Sequence, residues 1–196
     1  MREYKVTMGG QGGLSRRGLL QAGAFGLGVF GLGSAAGCGA LRFDIGQAVP
    51  EQRITGSVLG ALLASFIPTP FSLNVNLAQE TQARGTGPAQ SAGLKALSFR
   101  LTNLPNPPRS SDNFDFVDRI EIFVESTKSG TSLTKQKVAD LLTVPRGVQT
   151  LNLQCYPNVD LVPYINEGAR ISSTAAGKVP PQDVTFDGQI TIEVRV

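Results

Sequence analysis

The chain has 196 residues, 41% of them hydrophobic and 17% charged, enough for one domain with a real core behind a short leader. Its formal charge of +3 belongs to residues 1–37, where Arg2, Lys5, Arg16 and Arg17 face only Glu3; from Cys38 onward 14 basic residues meet 14 acidic ones, which leaves no electrostatic footprint for nucleic acid. Histidine is absent, which removes the commonest general base and metal ligand and the Ser-His and Cys-His nucleophile pairs, and leaves carboxylate or lysine chemistry as the enzymatic option.

Eleven of the 23 glycines fall in residues 1–37. Ser15-Arg16-Arg17-Gly18-Leu19-Leu20-Gln21 opens a Gly/Ala-diluted apolar stretch with no charge before Arg42, and the stretch leads through Ala35-Ala36-Gly37 to Cys38. A basic head, an apolar body and a small-residue exit are the layout of a secretory signal. The paired arginines resemble the twin-arginine export signal, and Ala35-Ala36-Gly37-Cys38 resembles a lipobox, whose cysteine becomes the diacylated first residue. The resemblance implies a bacterial twin-arginine-exported lipoprotein. Residues 1–37 would be the signal peptide, Arg16 and Arg17 the export signal, Cys38 the lipidation site, and the periplasmic or outer side of a membrane in the cell envelope the address. Two acyl chains, at about 0.8 kcal/mol per buried CH₂, hold stably where one would be marginal. The same residues admit an uncleaved helix over 18–41, about 36 Å long at ~1.5 Å per residue, or cleavage to a soluble form.

Behind the leader, residues 39–53 read as a polar tether interrupted by Pro50, and the domain proper as 54–196. From Ile54 to Ile67 the apolar positions Val58, Leu59, Leu62, Leu63, Phe66 and Ile67 have the rhythm of one helical face, which predicts a short packed helix ended by Pro68 and Pro70. The period then becomes two. Phe71, Leu73, Val75 and Leu77 predict a half-buried strand, residues 79–93 a long loop, and Leu97, Phe99 and Leu101 a second strand closed by the proline-rich run 103–108. Ile120, Ile122 and Val124 predict a third strand with Arg119, Glu121 and Glu125 on its wet face. Residues 126–131 read as a turn, 133–142 as either a helix or a strand, 148–155 as a strand, 158–166 as a helical or looping connection, and 169–174 as a strand. At the C-terminus Val184, Phe186, Ile190, Ile192, Val194 and Val196 share one parity. A hairpin at Asp187-Gly188 would mix apolar with polar residues on each face, so a continuous strand with Gly188 at a bulge or bend is the better choice. Six or seven strands, one short helix and no βαβ rhythm predict a mainly β fold, an antiparallel β-sandwich.

Chemistry has few places to sit. Asp112, Asp115 and Asp118 alternate on the loop entering the third strand and could offer oxygens to Ca²⁺, but the spacing misses the EF-hand pattern, so a solvated loop shaped by Asp112 or Asn113 is the stronger expectation and no metal site is assigned. Cys155 is in phase with Leu151 and Leu153, as a small hydrophobe in a strand would be; a disulfide to Cys38 is the rival, and it competes with lipidation for the same sulfur. No phosphate loop, nucleophile elbow, paired-cysteine metal site or dinucleotide fingerprint occurs, so no cofactor is expected. The expectation is a non-enzymatic envelope lipoprotein held to the membrane through Cys38, a structural or binding module for a protein partner or for an apolar ligand between the sheets. The alternatives are a carboxylate-based envelope enzyme, or a surface adhesion or assembly module that works by strand addition.

Overall fold

Alternating apolar and polar residues become strands with one buried face in the computed structural model, which describes residues 41–57, 59, 61–102 and 112–196. In chain order the elements are β1 (Arg42–Ile54), β2 (Phe71–Leu73), α1 (Leu77–Ala83), β3 (Ser91–Leu101), β4 (Val117–Ser126), β5 (Gln136–Leu141), β6 (Thr150–Asn152), β7 (Gln154–Cys155), α2 (Val162–Glu167), β8 (Ala169–Gly177) and β9 (Val184–Arg195). They form two antiparallel sheets, one of four strands in the order β1-β9-β3-β6 and one of five in the order β2-β8-β4-β5-β7. The expected antiparallel sandwich is therefore present. With β6 and β7 counted as one ribbon, each strand pairs with its counterpart from the other end of the chain: β1 with β9, β2 with β8, β3 with β6 and β4 with β5. The domain is thus one long hairpin, folded at the β4–β5 turn and wrapped so that, the two-residue β7 apart, successive strands along each leg fall in opposite sheets, which is the order of a jelly roll.

The layer between the sheets is filled by aromatic rings that arrive from strands and connections alike. Phe99 and Phe186 come from β3 and β9, Phe66 and Phe114 from the segments before β2 and β4, and all four are at most 1% exposed. Phe66 stacks on Phe186 with ring centroids 4.5 Å apart and meets the edge of Phe99 at 5.0 Å, while Phe114 lies 5.8 Å from Phe66. Such pairs each contribute about 0.5–1.5 kcal/mol beyond the area they bury.

Strand β9 is continuous, as its parity predicts, and buries Phe186, Gly188, Ile190, Ile192 and Val194 on one face. Gly188 is neither a bulge nor a bend. A Cβ there would run into the Ser98 carbonyl oxygen, and would lie 2.9 Å from the Phe99 ring and 3.2 Å from a Val49 methyl. The glycine lets three strands close up over the rings. The irregularity lies opposite, in β1, whose register with β9 shifts between Val49 and Gln52. Pro50 sits at that shift, on an edge strand, where a missing N–H costs no ladder bond.

Several elements differ from expectation. The stretch read as a tether contributes β1 from Arg42 onward, paired with β9 along its length. The helix expected over 54–67 is not formed. Ile54 ends β1, and the following backbone bonds sideways to the strand region 173–180: Ser57 N–H donates to Pro180 O (2.8 Å), Leu63 N–H to Gly177 O (3.1 Å) and Val179 N–H to Ala61 O (2.7 Å). Ser173 Oγ accepts from the N–H groups of Phe66 (3.0 Å) and Ile67 (2.6 Å). These partners satisfy groups that a helix would have paired internally, so tertiary context overrides the helical rhythm. The strand expected over 71–77 stops at Leu73, and α1 occupies the start of the expected loop, with Asn76 Oδ1 accepting from Gln79 N–H at 3.0 Å as its N-cap. The ambiguous stretch 133–142 resolves as strand β5. The single strand expected over 148–155 is divided. β6 belongs to the four-stranded sheet, Leu153 N–H donates to Leu97 O at 3.0 Å, and β7 pairs with β5 in the other sheet.

Candidate functional site

The expected address residues Arg16, Arg17 and Cys38 lie outside the described residues, as do residues 18–40 of the alternative anchoring helix. Among the described residues no helix is long and apolar enough to cross a membrane.

The acidic loop before β4 is fully described from Asp112. Asn113 Oδ1 accepts from Asp115 N–H at 3.0 Å, the side-chain turn that asparagine favours. Asp115 Oδ1 accepts from Gly147 N–H (2.6 Å), where the chain takes a positive φ of 72°. Arg146 donates to the Asp115 carbonyl and to Asp118 Oδ1, the latter at 3.0 Å. Asp115 and Asp118 are therefore engaged in tying this loop to residues 146–147 rather than converging with Asp112. Among the described residues no group of three acidic or cysteine side chains is arranged to hold a cation.

Cys155 is a half-buried free thiol at the end of β7, as its parity with Leu151 and Leu153 predicts. Burial pushes its pKa up to about 11, against a weaker opposing backbone hydrogen bond from Leu97. Such a thiol is almost wholly protonated at neutral pH and is a poor nucleophile.

The polar cluster that the fold does assemble lies on the outer face of the five-stranded sheet. Asp140 on β5, only 2% exposed, accepts from Lys137 Nζ at 2.9 Å and from the Tyr156 hydroxyl at 2.8 Å. Lys137 also reaches Glu121 Oε1 on β4 (3.4 Å), and Thr174 on β8 donates to Glu121 Oε2 (3.2 Å). Burial would raise the Asp140 carboxyl, but the hydrogen bonds from Lys137 and Tyr156 together with the Lys137 charge hold it below its ordinary value. The register that sets Glu121 opposite Asp140 builds this row across three strands, β8, β4 and β5, and Tyr156 just after β7 completes it. Glu167 at the end of α2 is likewise held low, by hydrogen bonds from Thr131 and Ser126 and by Lys128, and clamps the β4–β5 turn. Sequence reasoning placed Glu121 on a wet face but missed the role of Asp140, because a buried carboxylate on an outer face becomes visible only when Tyr156 is brought round by β7.

The four-stranded sheet carries a second set of charge pairs on its outer face: Lys95 with Asp44 (2.7 Å), Arg100 with Asp187 (2.7 Å), and Glu193 shared by Arg42 (3.5 Å) and Arg195 (3.2 Å). Exposed pairs of this kind are each worth about 0–1 kcal/mol, so they dress the sheet rather than hold it.

No family model matches the chain, and no curated protein matches it in sequence. Among solved structures the fold is similar to the BFDV capsid protein in a decameric form, at 10% identity and a TM-score of 0.40, covering 80% of this chain and 99% of that one. It is also similar to the 60-mer form of the same protein, at 10% identity and a TM-score of 0.30, covering 80% and 94%. These are distant likenesses between β-sandwiches.

Beyond its two faces the sandwich has a rim. Its edge strands differ sharply: β2 and β6 have three residues each and β7 two, whereas β1 has thirteen.

Proposed function

We propose that this protein is an exported bacterial lipoprotein whose sandwich is a non-enzymatic structural or binding module of the cell envelope. The order of signals in residues 15–38 carries the reading, because it delivers Cys38 four residues before β1. Since the expected tether forms β1 from Arg42 onward, only those four steps separate Cys38 from the sheet, and they span at most about 14 Å at ~3.6 Å per residue. An acyl chain on Cys38 would thus hold the start of β1 close to the bilayer surface.

Two features of the sandwich support a module that binds rather than reacts. Asp140, Glu167 and Asp183 are all shifted downward, away from the neutral range in which a general acid or base works best. Phe66, Phe99, Phe114 and Phe186 occupy the layer where an apolar ligand would have to lie, which favours a protein partner met at the surface.

Intact-mass analysis of the membrane-bound protein tests the anchor: the expected species begins at Cys38 and carries acyl chains. Replacing Cys38 by Ala should remove the modification and release the domain from the membrane. If Cys38→Ala stays membrane-bound with its leader uncut, the lipid reading is wrong and the helix over 18–41 replaces it. Lysine at both Arg16 and Arg17 should stop export, and undiminished export would remove the twin-arginine assignment.

A further inference from the structure

We propose that the outer edge of β1 is a self-association surface, on which two copies of this chain pair antiparallel about a two-fold axis at Phe43. The inference needs neither the leader nor a lipid, and goes beyond the function proposed above.

The phase of β1 decides which groups are on offer. Val196 N–H donates to Leu41 O at 3.0 Å, and the register runs unbroken from Arg42↔Arg195 to Val49↔Gly188. Leu41, Phe43, Ile45, Gln47 and Val49 therefore exchange bonds with β9, and Arg42, Asp44, Gly46 and Ala48 turn their N–H and C=O groups the other way. No other strand among the described residues pairs with that side. The four residues are exposed, nothing lies within 4 Å of where a Cβ on Gly46 would be, and neither proline nor lysine interrupts the row before Pro50. Of the devices that blunt natural edges, shortness, lysine, proline and a bulge are absent from β1 between Arg42 and Val49, and its charges, Arg42 and Asp44, are of opposite sign.

Charge selects the partner and the register. When a strand pairs with its own copy, an axis at Arg42 or at Asp44 sets like charges face to face, which is destabilising. An axis at Phe43 sets Arg42 of each copy opposite Asp44 of the other, on the same outer face, twice per dimer. An axis at Ile45 or Gly46 gains no such pair. The same choice places Leu41, 64% exposed, across from Ile45 of the second copy. Arg42 has charge to share, because its neighbour Glu193 already serves Arg195 at a shorter distance, 3.2 Å against 3.5 Å. The pairing would join Lys95, Asp44, Arg42 and Glu193 into one alternating row across the interface and make a continuous eight-stranded sheet from two four-stranded ones.

Disulfide trapping in the full chain tests this. Phe43 faces β9 with its own N–H, so at the proposed axis the two Phe43 residues form a non-hydrogen-bonded pair with Cα atoms about 4.5 Å apart, within disulfide reach. Phe43→Cys in a Cys155→Ala background should give a cross-linked dimer under mild oxidation. The parent, with Phe43 intact, reports any cross-link made by Cys38. Gly46→Cys should not cross-link, because its two copies would sit roughly 20 Å apart at ~3.3 Å per residue. Sedimentation of the detergent-solubilised chain supplies a second readout that does not alter Phe43. Asp44→Arg should weaken dimerisation on the order of tenfold, and adding Arg42→Asp should restore it. A wild-type chain that sediments as a monomer over the full accessible concentration range overturns the proposal. So does cross-linking of Gly46→Cys as efficient as that of Phe43→Cys, or an Asp44→Arg defect that Arg42→Asp fails to repair.

Discussion

The two long sides of the sandwich are finished in different ways. On one side the chain itself closes the gap: β6 ends on the four-stranded sheet, Leu153 crosses, and β7 continues on the five-stranded sheet, so one ribbon seals both edges. On the other side the chain passes from one sheet to the other beyond the end of β1, over 55–70, and side-chain amides join β1 to the region of β2. Gln47 Nε2 donates to Ser72 O at 3.0 Å while Gln47 Oε1 accepts from Asn74 N–H at 2.9 Å, and Gln52 Oε1 accepts from Thr69 N–H at 3.4 Å. The side closed by main chain leaves little to add to, because its edge strands β6 and β7 are only three and two residues long. A side closed by side chains keeps a free backbone edge. The difference puts stability on the β6–β7 side and availability on the β1 side.

The largest expected effect lies on the sealed side. Leu151 in β6 is 1% exposed and packs into the common core. Its truncation to Ala removes buried methyl groups beneath a strand too short to shift, and should cost about 2–5 kcal/mol. The denaturation midpoint should fall with an unchanged slope, since the folded state would bury nearly the same surface.

Asp140 gives an intermediate effect on the same side, because it ties β5 to the residue that follows β7. Asp140→Asn deprives Lys137 and Tyr156 of an ionised acceptor and should cost about 1–3 kcal/mol at neutral pH. The sign with pH follows from the direction of the shift. The folded carboxyl lies below its unfolded value of roughly 4, so its contribution is complete above that value and is lost as pH falls through the folded pKa. Wild type and variant should therefore converge in stability below about pH 4, read from denaturant titrations at several pH values. A difference that stayed constant down to pH 2 would mean that packing, and not charge, is what Asp140 supplies.

These contrasts also explain how much the sequence discloses. Strands with one face buried and the other in water are legible: Ile120, Ile122 and Val124 in β4, and the run from Val184 to Val194 in β9, carry a clean alternation that packing obeys. The open edge is not legible in that way. In β1 the inward positions Ile45, Val49, Gln52 and Ile54 lose their even spacing where the register slips at Pro50, and the outward residues Arg42, Asp44, Gly46 and Ala48 are small or charged, so the stretch resembles a tether. The segment 54–67 misleads for the opposite reason. Leu63, Phe66 and Ile67 are buried while Leu59 and Leu62 are 90% and 82% exposed, a pattern fixed by Ser173 and the backbone of 175–180 and by nothing local. Helix α1 did leave a signal: Asn76 followed three residues later by Gln79 has the spacing of an N-cap pair. Val75 and Leu77 masked it by extending the alternation of β2. Of the site, the parity of Cys155 and the turn at Asn113 could be read in advance; the pairing of Asp140 with Tyr156 depends on a strand that changes sheets, which no local pattern announces.

The smallest effect belongs to the open side. Gln47→Leu removes the two hydrogen bonds that lace β1 to the segment after β2, leaving Ser72 O and Asn74 N–H unpaired. Both residues are exposed, so water can take over, and the cost should be about 0.5–1.5 kcal/mol rather than the larger penalty of a buried orphan. Gln47 directs its own backbone at β9, so the row from Arg42 to Ala48 keeps its outward groups in the variant. Hydrogen exchange should then quicken at Asn74 while the β1–β9 ladder stays protected, and any cross-linking through Phe43→Cys should persist. Were exchange to quicken along β1 itself, the amide would be holding the edge strand in its sheet, and the division between a sealed side and an available one would have to be redrawn.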